Sequence, residues 1–227
     1  MPAPLPPRQL AFALAHHTSF AREDFLEGPS NRAALAMVER WPDWPDRLLA
    51  VIGPEGSGKS HLAAIWAEAA GARFLAARAL GEANLLRALS TGALVIENVA
   101  AEAVDERAMF HLINLAREQG AYMLMTAAAA PSGWVLKVAD LASRLRALPV
   151  VEVGPPDDAL LRAVLVKLFA DRQLAVDESL LTYLLKRIDR SFAAARAAVE
   201  RLDREALRLR RPVTRALAAE MLRGAPS

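Results

Sequence analysis

The chain contains no cysteine. That excludes disulfides and thiolate metal sites, and it suits a reducing cytoplasm. Long hydrophobic runs are missing too. The longest apolar candidate, residues 121–131, is too short to cross a bilayer and contains Thr126. No charged n-region precedes an apolar h-region, so no secretory signal is expected. A net excess of one charge is lacking: 28 Lys+Arg against 26 Asp+Glu leave a formal +2. The chain as a whole is therefore not a polycation built for DNA. Nearly all of its basic residues are Arg, which fits genome composition better than function.

What is present is a core and a motif. The 227 residues are 54% apolar, enough for one sizeable domain plus a small one. Gly53, Pro54, Glu55, Gly56, Ser57, Gly58, Lys59 and Ser60 fit the phosphate-loop pattern GxxxxGK[ST] at every fixed position. A short apolar run at 48–52 reads as a buried strand, and 61–70, opening on His61, reads as a helix. A glycine-rich turn with a chance lysine would not need those flanks. Strand, turn and helix make a polyphosphate cradle of backbone N–H groups at a helix N-terminus. Lys59 can neutralise phosphate charge, and the Ser60 hydroxyl can hold Mg²⁺.

Residues 1–7 hold four prolines and read as a flexible tail that extends to residue 17. The first domain is expected over 18–154. Ser30 or Asn31 is a candidate N-cap for a helix running to Arg40. Trp41-Pro42-Asp43-Trp44-Pro45 then breaks that helix. Further strands are predicted at 73–76, 93–97, 121–126 and 149–153, with helices at 80–89 and 106–119. Apolar strands alternating with helices imply an α/β fold whose five-stranded parallel sheet is covered on both faces. Gly154-Pro155-Pro156 punctuates the chain. Helices are predicted beyond it at 157–173, 177–188, 191–208 and 214–223, with Asp157 and Asp177 starting the first two. Residues 155–227 are thus expected to form an all-α lid. No fixed-period repeat is found.

A second chemical candidate is Leu94-Val95-Ile96-Glu97-Asn98. An apolar strand ending in an acid, downstream of a phosphate loop, has the Walker B arrangement, in which Glu97 would orient Mg²⁺ or its water. The bland reading is a strand end that happens to carry Glu. Asn98 cannot act as a base, so binding with slow hydrolysis is expected. His16, His17, His61 and His111 show no ligand spacing beyond one adjacent pair, so no metal other than Mg²⁺ is expected. Residues 186–215 carry ten Lys/Arg and four Asp/Glu, an excess of six. That segment reads as a solvated helix face laced by i,i+4 pairs.

A phosphate-loop sheet domain with a helical lid is similar to AAA+ ATPases. Within them, residues 9–223 resemble the DnaA branch, and most its Hda-type regulators. Three stretches carry this: the opening from Phe20 to Asn31, the Glu97-Asn98 pair, and Leu184-Leu185-Lys186-Arg187-Ile188-Asp189-Arg190 of the lid. The resemblance implies an adenine pocket shaped by the opening, Leu26 included, and ADP rather than ATP as the favoured ligand. It implies a small polar sensor at Thr126. The lid's sensor arginine position falls on Ala193, with Arg190 and Arg196 one turn to either side. Asp140-Leu141-Ala142-Ser143-Arg144-Leu145 resembles the family's box VII, which makes Arg144 a trans-acting arginine finger with Arg146 as its competitor. From residues alone, Arg144 reads as a solvated helix arginine paired with Asp140. Gln9, Leu10, Phe12 and Leu14 resemble a motif that docks on the replicative sliding clamp, the β subunit of DNA polymerase III. The alternative is a tail that caps the core.

The implied function is cytoplasmic regulation of replication initiation, by stimulating ATP hydrolysis on DnaA. DNA would be met only indirectly and membranes not at all; a second copy of the chain is allowed as a partner. Neither an N-terminal interaction domain nor a C-terminal DNA-binding domain of the DnaA kind is expected, an expectation that favours a regulator over an initiator. Two alternatives stand: a self-sufficient AAA+ ATPase such as a helicase loader, and an adaptor without nucleotide.

Overall fold

The computed structural model describes residues 20–223. Its centre is a parallel sheet of β1 (Leu48–Ile52), β2 (Arg73–Ala76), β3 (Ala93–Val99), β4 (Tyr122–Ala127) and β5 (Val150–Glu152), in the order β2-β3-β4-β1-β5. Period-two side-chain alternation splits the strand residues between two cores. Leu48, Ala50, Leu94, Ile96, Met123 and Met125 pack in one core against α3 (Leu85–Ala88), α4 (Glu106–Gln119) and α5 (Ala139–Arg146). Leu49, Val51, Val95 and Leu124 pack on the other side against α1 (Arg32–Glu39) and α2 (Lys59–Ala70). Cover on both faces is why the central strands are apolar throughout instead of alternating with polar residues.

Two local expectations are corrected. The helix predicted at 80–89 shrinks to a 3₁₀ turn, Glu82–Asn84, followed by the single turn of α3. Asn84 explains it. Its side chain accepts from Gly81 N (3.2 Å) and donates to the Ala79 carbonyl (2.7 Å), taking backbone groups a longer helix would use. Asn31 does not cap α1 with its side chain. Only 1% exposed, it turns back, accepting from Gly28 N (2.8 Å) and donating to the Leu26 carbonyl (2.9 Å). The opening segment is thus closed by a buried amide rather than by a helix cap.

Beyond the sheet come α6 (Asp158–Asp171), α7 (Glu178–Leu185), α8 (Phe192–Leu209) and α9 (Arg215–Arg223). Asp157, Asp177 and Ser191 cap the first three, accepting from backbone N–H groups at 2.7, 2.8 and 3.0 Å. These helices share their own core around Leu161, Leu165, Phe169, Leu184, Val199 and Leu202. The lid is tied to the opening segment at two points. Leu160 packs so closely on Gly28 that a Cβ there would sit 2.8 Å from Leu160 Cδ2. Lys167 pairs with Asp24 at 2.6 Å. Among the described residues no helix is long and apolar enough to cross a membrane.

Removing the Asn31 amide would strand a buried donor and acceptor. Asn31→Ala is expected to lower the urea-unfolding free energy by about 2 kcal/mol. An unchanged midpoint would show that the turn does not need it.

Candidate functional site

The phosphate loop leaves the C-terminal end of β1. Gly53 N donates to the Ala127 carbonyl at 3.1 Å, and at φ +151° a Cβ on Gly53 would fall 2.1 Å from the Val153 carbonyl oxygen. Gly56 and Gly58 also have positive φ, +71° and +102°. Gly58 is the N-cap of α2, and no side chain caps that helix, so its first backbone donors are left for solvent or an anion. Lys59 is 9% exposed and donates from Nζ to the carbonyls of Gly53 (2.8 Å) and Pro54 (2.7 Å). Burial pulls its pKa below the ordinary lysine value, against the opposing pull of Glu55. Ser57 Oγ is buried with no hydrogen-bond partner. An orphaned hydroxyl, an uncapped helix and a lysine resting on carbonyls are features a phosphate would satisfy. Ser60 is exposed beside them.

The strand-end acid sits in an irregular stretch. The β3–β4 register shifts between Ile96 and Val99, and Asn98 takes φ +56°, where Asn is tolerated better than most residues. Asn98 N donates to Thr126 Oγ1 at 3.0 Å. Thr126, the sensor candidate, is fully buried; its oxygen accepts from this bulge, keeping one O–H to donate. Asn98 therefore has a backbone reason to be Asn, besides being no base. Glu97 is half-buried, and its carboxylate has no hydrogen-bond or ion-pair partner among the described residues. No cluster of three or more His, Cys, Asp or Glu could hold a metal among those residues. Mg²⁺ at Ser60 and Glu97 would need phosphate oxygens and waters to complete its shell.

The opening segment and the lid close on the loop. The rings of Phe20 and Phe25 meet His61 edge-on at 5.3 and 5.1 Å, and His61 Nε2 donates to the Ala21 carbonyl at 2.9 Å. Burial depresses the His61 pKa first; the Ala21 hydrogen bond and Asp24 oppose, while Arg196 and Arg22 add to the depression. Leu26 is half-buried beside this cluster in sequence, its carbonyl held by Asn31. From the lid, Phe192 N donates to the Gly56 carbonyl at 2.8 Å. A Cβ on Gly56 would meet Ala193 Cβ at 2.9 Å and Ser191 Cβ at 3.0 Å, and one on Gly58 would meet the Phe192 ring at 3.3 Å. Arg190 is engaged by Asp158 at 3.0 Å. Arg196 has its Nε buried without a partner. Phe192 went unnoticed in the sequence; its one signal is a large aromatic directly after the Ser191 cap.

Arg144 is placed elsewhere. It lies on α5, in the layer across the sheet from α2, half-buried with its guanidinium 5.1 Å from the Phe110 ring centroid. The pairing with Asp140 read from i−4 spacing does not form; Phe110 of α4 replaces it, because tertiary packing brings the ring over the arginine. Arg146 is exposed and donates to the Ala142 carbonyl at 3.1 Å. Gln9, Leu10, Phe12 and Leu14 lie outside the described residues.

No protein-family model matches the chain. Solved structures do. Domain III of the replication initiation protein DnaA from Thermotoga maritima superposes with a TM-score of 0.72 at 18% identity, over 90% of this chain and 95% of that one. AMPPCP-bound DnaA from Aquifex aeolicus gives 0.65 at 15%, over 84% and 69%. The Thermotoga maritima RuvB Holliday junction branch migration motor gives 0.71 at 14%, over 90% and 72%. The fold is that of the AAA+ domains of DnaA and RuvB.

Gly56→Ala must strain a positive-φ turn and push on Ala193 and Ser191, so a stability loss of about 1–3 kcal/mol is expected in urea titrations. Gly71→Ala also sits at positive φ (+62°) but has nothing within 4 Å, and is expected to cost less. Equal losses would remove the lid contact as the cause. His61 is harder to protonate folded than unfolded, so its contribution is present above the unfolded value near 6.5 and is lost as pH falls through the lower folded value. The urea midpoint should therefore fall on acidification below about pH 6.5, less steeply in His61→Gln. Identical slopes would exclude His61 as the titrating group.

Proposed function

We propose that this chain is an adenine-nucleotide-binding AAA+ regulator of replication initiation, which lends Arg144 to the nucleotide site of a DnaA-type partner and so hastens hydrolysis there. The observation that carries this reading is the setting of Arg144. It is held half-buried over Phe110 with no carboxylate partner among the described residues, in the layer opposite its own phosphate-loop helix. A guanidinium fixed by a ring but free of an anion keeps its donor fork for a phosphate. Its position across the sheet suits a neighbour's nucleotide better than its own.

The chain's own site is read as binding more than turning over. Lys59 would exchange the Gly53 and Pro54 carbonyls for phosphate oxygens, and Ser57 would gain its missing partner. Arg196, with an unpartnered Nε, is better placed than the Asp158-bound Arg190 to serve from the lid. Phe20, Phe25, Leu26 and His61 would flank the base. Mg²⁺, held through Ser60 and Glu97, would neutralise phosphate charge. Asn98 offers no base for water, which favours ADP as the resident ligand and disfavours the helicase-loader alternative. AMPPCP in the DnaA neighbours supports an adenine nucleotide here. Gln9, Leu10, Phe12 and Leu14 would dock on the sliding clamp, a tether that raises the effective concentration of Arg144 near its target.

Two variants test the division of labour. Lys59→Ala should weaken ADP binding by calorimetry at least tenfold, roughly the effect of one charge-assisted contact. Arg144→Ala should leave ADP binding unchanged yet lower stimulation of DnaA-bound ATP hydrolysis on clamp-loaded DNA by about 10³-fold. Full stimulation by Arg144→Ala would end the finger assignment and move attention to Arg146.

A further inference from the structure

The lid carries a charged surface that the nucleotide site does not use. The acids of α8 are each occupied. Glu200 and Asp203 face Arg172, at the C-terminal cap of α6, at 3.6 and 3.8 Å, and Glu205 holds Arg208 at 2.5 Å. That last contact is the one ion pair formed within residues 186–215 among the described residues, so the expected lacing by i,i+4 pairs is not what neutralises this segment. Arg201, Arg204 and Arg210 remain exposed, and their guanidinium groups have no hydrogen-bonded or ionic partner among the described residues. Arg201, Arg204 and Arg208 are three and four residues apart and share one helix face, opposite the buried Ala195, Val199, Leu202 and Ala206. Arg210 lies just beyond the stripe as the exposed C-cap of α8, in the left-handed region at φ +52°.

We infer that this arginine face binds the phosphate backbone of duplex DNA, a direct contact beyond the clamp-mediated one. Guanidinium forks match phosphate oxygens in geometry and charge. From Arg201 to Arg208 the helix rises about 10 Å, alongside which a duplex presents roughly six charges. Single strands call for aromatic platforms on which bases stack. The one aromatic residue of α8, Phe192, is packed against Gly58, and nearby Tyr183 lies under Arg187 and Arg215, at 3.8 and 5.8 Å. With no stacking surface and no helix end aimed by a partner element, the face is a sequence-independent duplex contact.

The test uses the full chain and a fluorescein-labelled duplex of random sequence, followed by anisotropy across 50–200 mM salt. The variant Arg201→Gln/Arg204→Gln/Arg210→Asn breaks no ion pair, and Asn suits the left-handed position of residue 210. Its dissociation constant should rise at least tenfold at 50 mM salt, and the log–log salt slope should shrink by about two to three, near 0.9 for each phosphate no longer neutralised. Replacing the same three residues with Lys should restore most of the slope. Unfolding midpoints within error of the parent identify folded variants. Absence of binding by the parent at 50 mM salt, an unchanged slope in the Gln/Gln/Asn variant, or tighter binding to a single strand of the same length would each overturn the inference. So would displacement of the duplex by polyglutamate at equal charge concentration, which would assign the face to an acidic protein.

Discussion

The contact on which the rest of the site depends is the approach of the lid to the phosphate loop at Gly56. The Phe192 N–H reaches the Gly56 carbonyl at 2.8 Å, while Ala193 and Ser191 stand where a Gly56 side chain would be. Only a residue without Cβ allows it. The same loop must curl through positive φ to expose backbone donors, so one glycine serves both the cradle and the seam. The small Ala193 follows from that closeness. Ser191 caps α8 at the same point and fixes its direction, and the direction sets Arg196 one turn further along near His61. The lid is thereby oriented by backbone geometry, with Leu160 on Gly28 and Lys167 on Asp24 as outer ties.

The two faces of the sheet divide the chemistry. α2, the phosphate loop and the opening segment belong to one layer; Arg144 belongs to the other, behind Phe110. Each strand side chain serves one layer only, because successive residues point to opposite faces. The strand ends are where the layers communicate. There the bulge at Glu97-Asn98 locks onto Thr126, joining the acid-bearing strand to its neighbour through a side-chain oxygen where the regular ladder fails.

Much of this was legible in advance, and the misses share a cause. The phosphate loop, its strand and its helix were readable because they are local: glycine spacing, a five-residue apolar run and a helix start lie within about twenty residues. The sheet was readable because burial on both faces demands unbroken apolar strands. The helix at 80–89 failed because one asparagine side chain redirected backbone hydrogen bonds. Asn31 matched a capping pattern, yet its amide was needed to close a buried turn. The Asp140–Arg144 pair satisfied i,i+4 spacing but gave way to an aromatic ring from another helix.

Period and spacing, properties of neighbours along the chain, therefore determined by themselves the α/β class, the glycine-rich turn between β1 and α2, and the succession of helices after residue 156. What only the tertiary structure decided is which distant groups meet. Phe192 on Gly58, Asn98 on Thr126, Arg144 over Phe110, and Arg172 drawing Glu200 and Asp203 away from the outer arginines of α8 all join residues on separate elements. Such contacts depend on packing angles and layer spacing, which are set by the sum of many side-chain volumes and not by any local pattern.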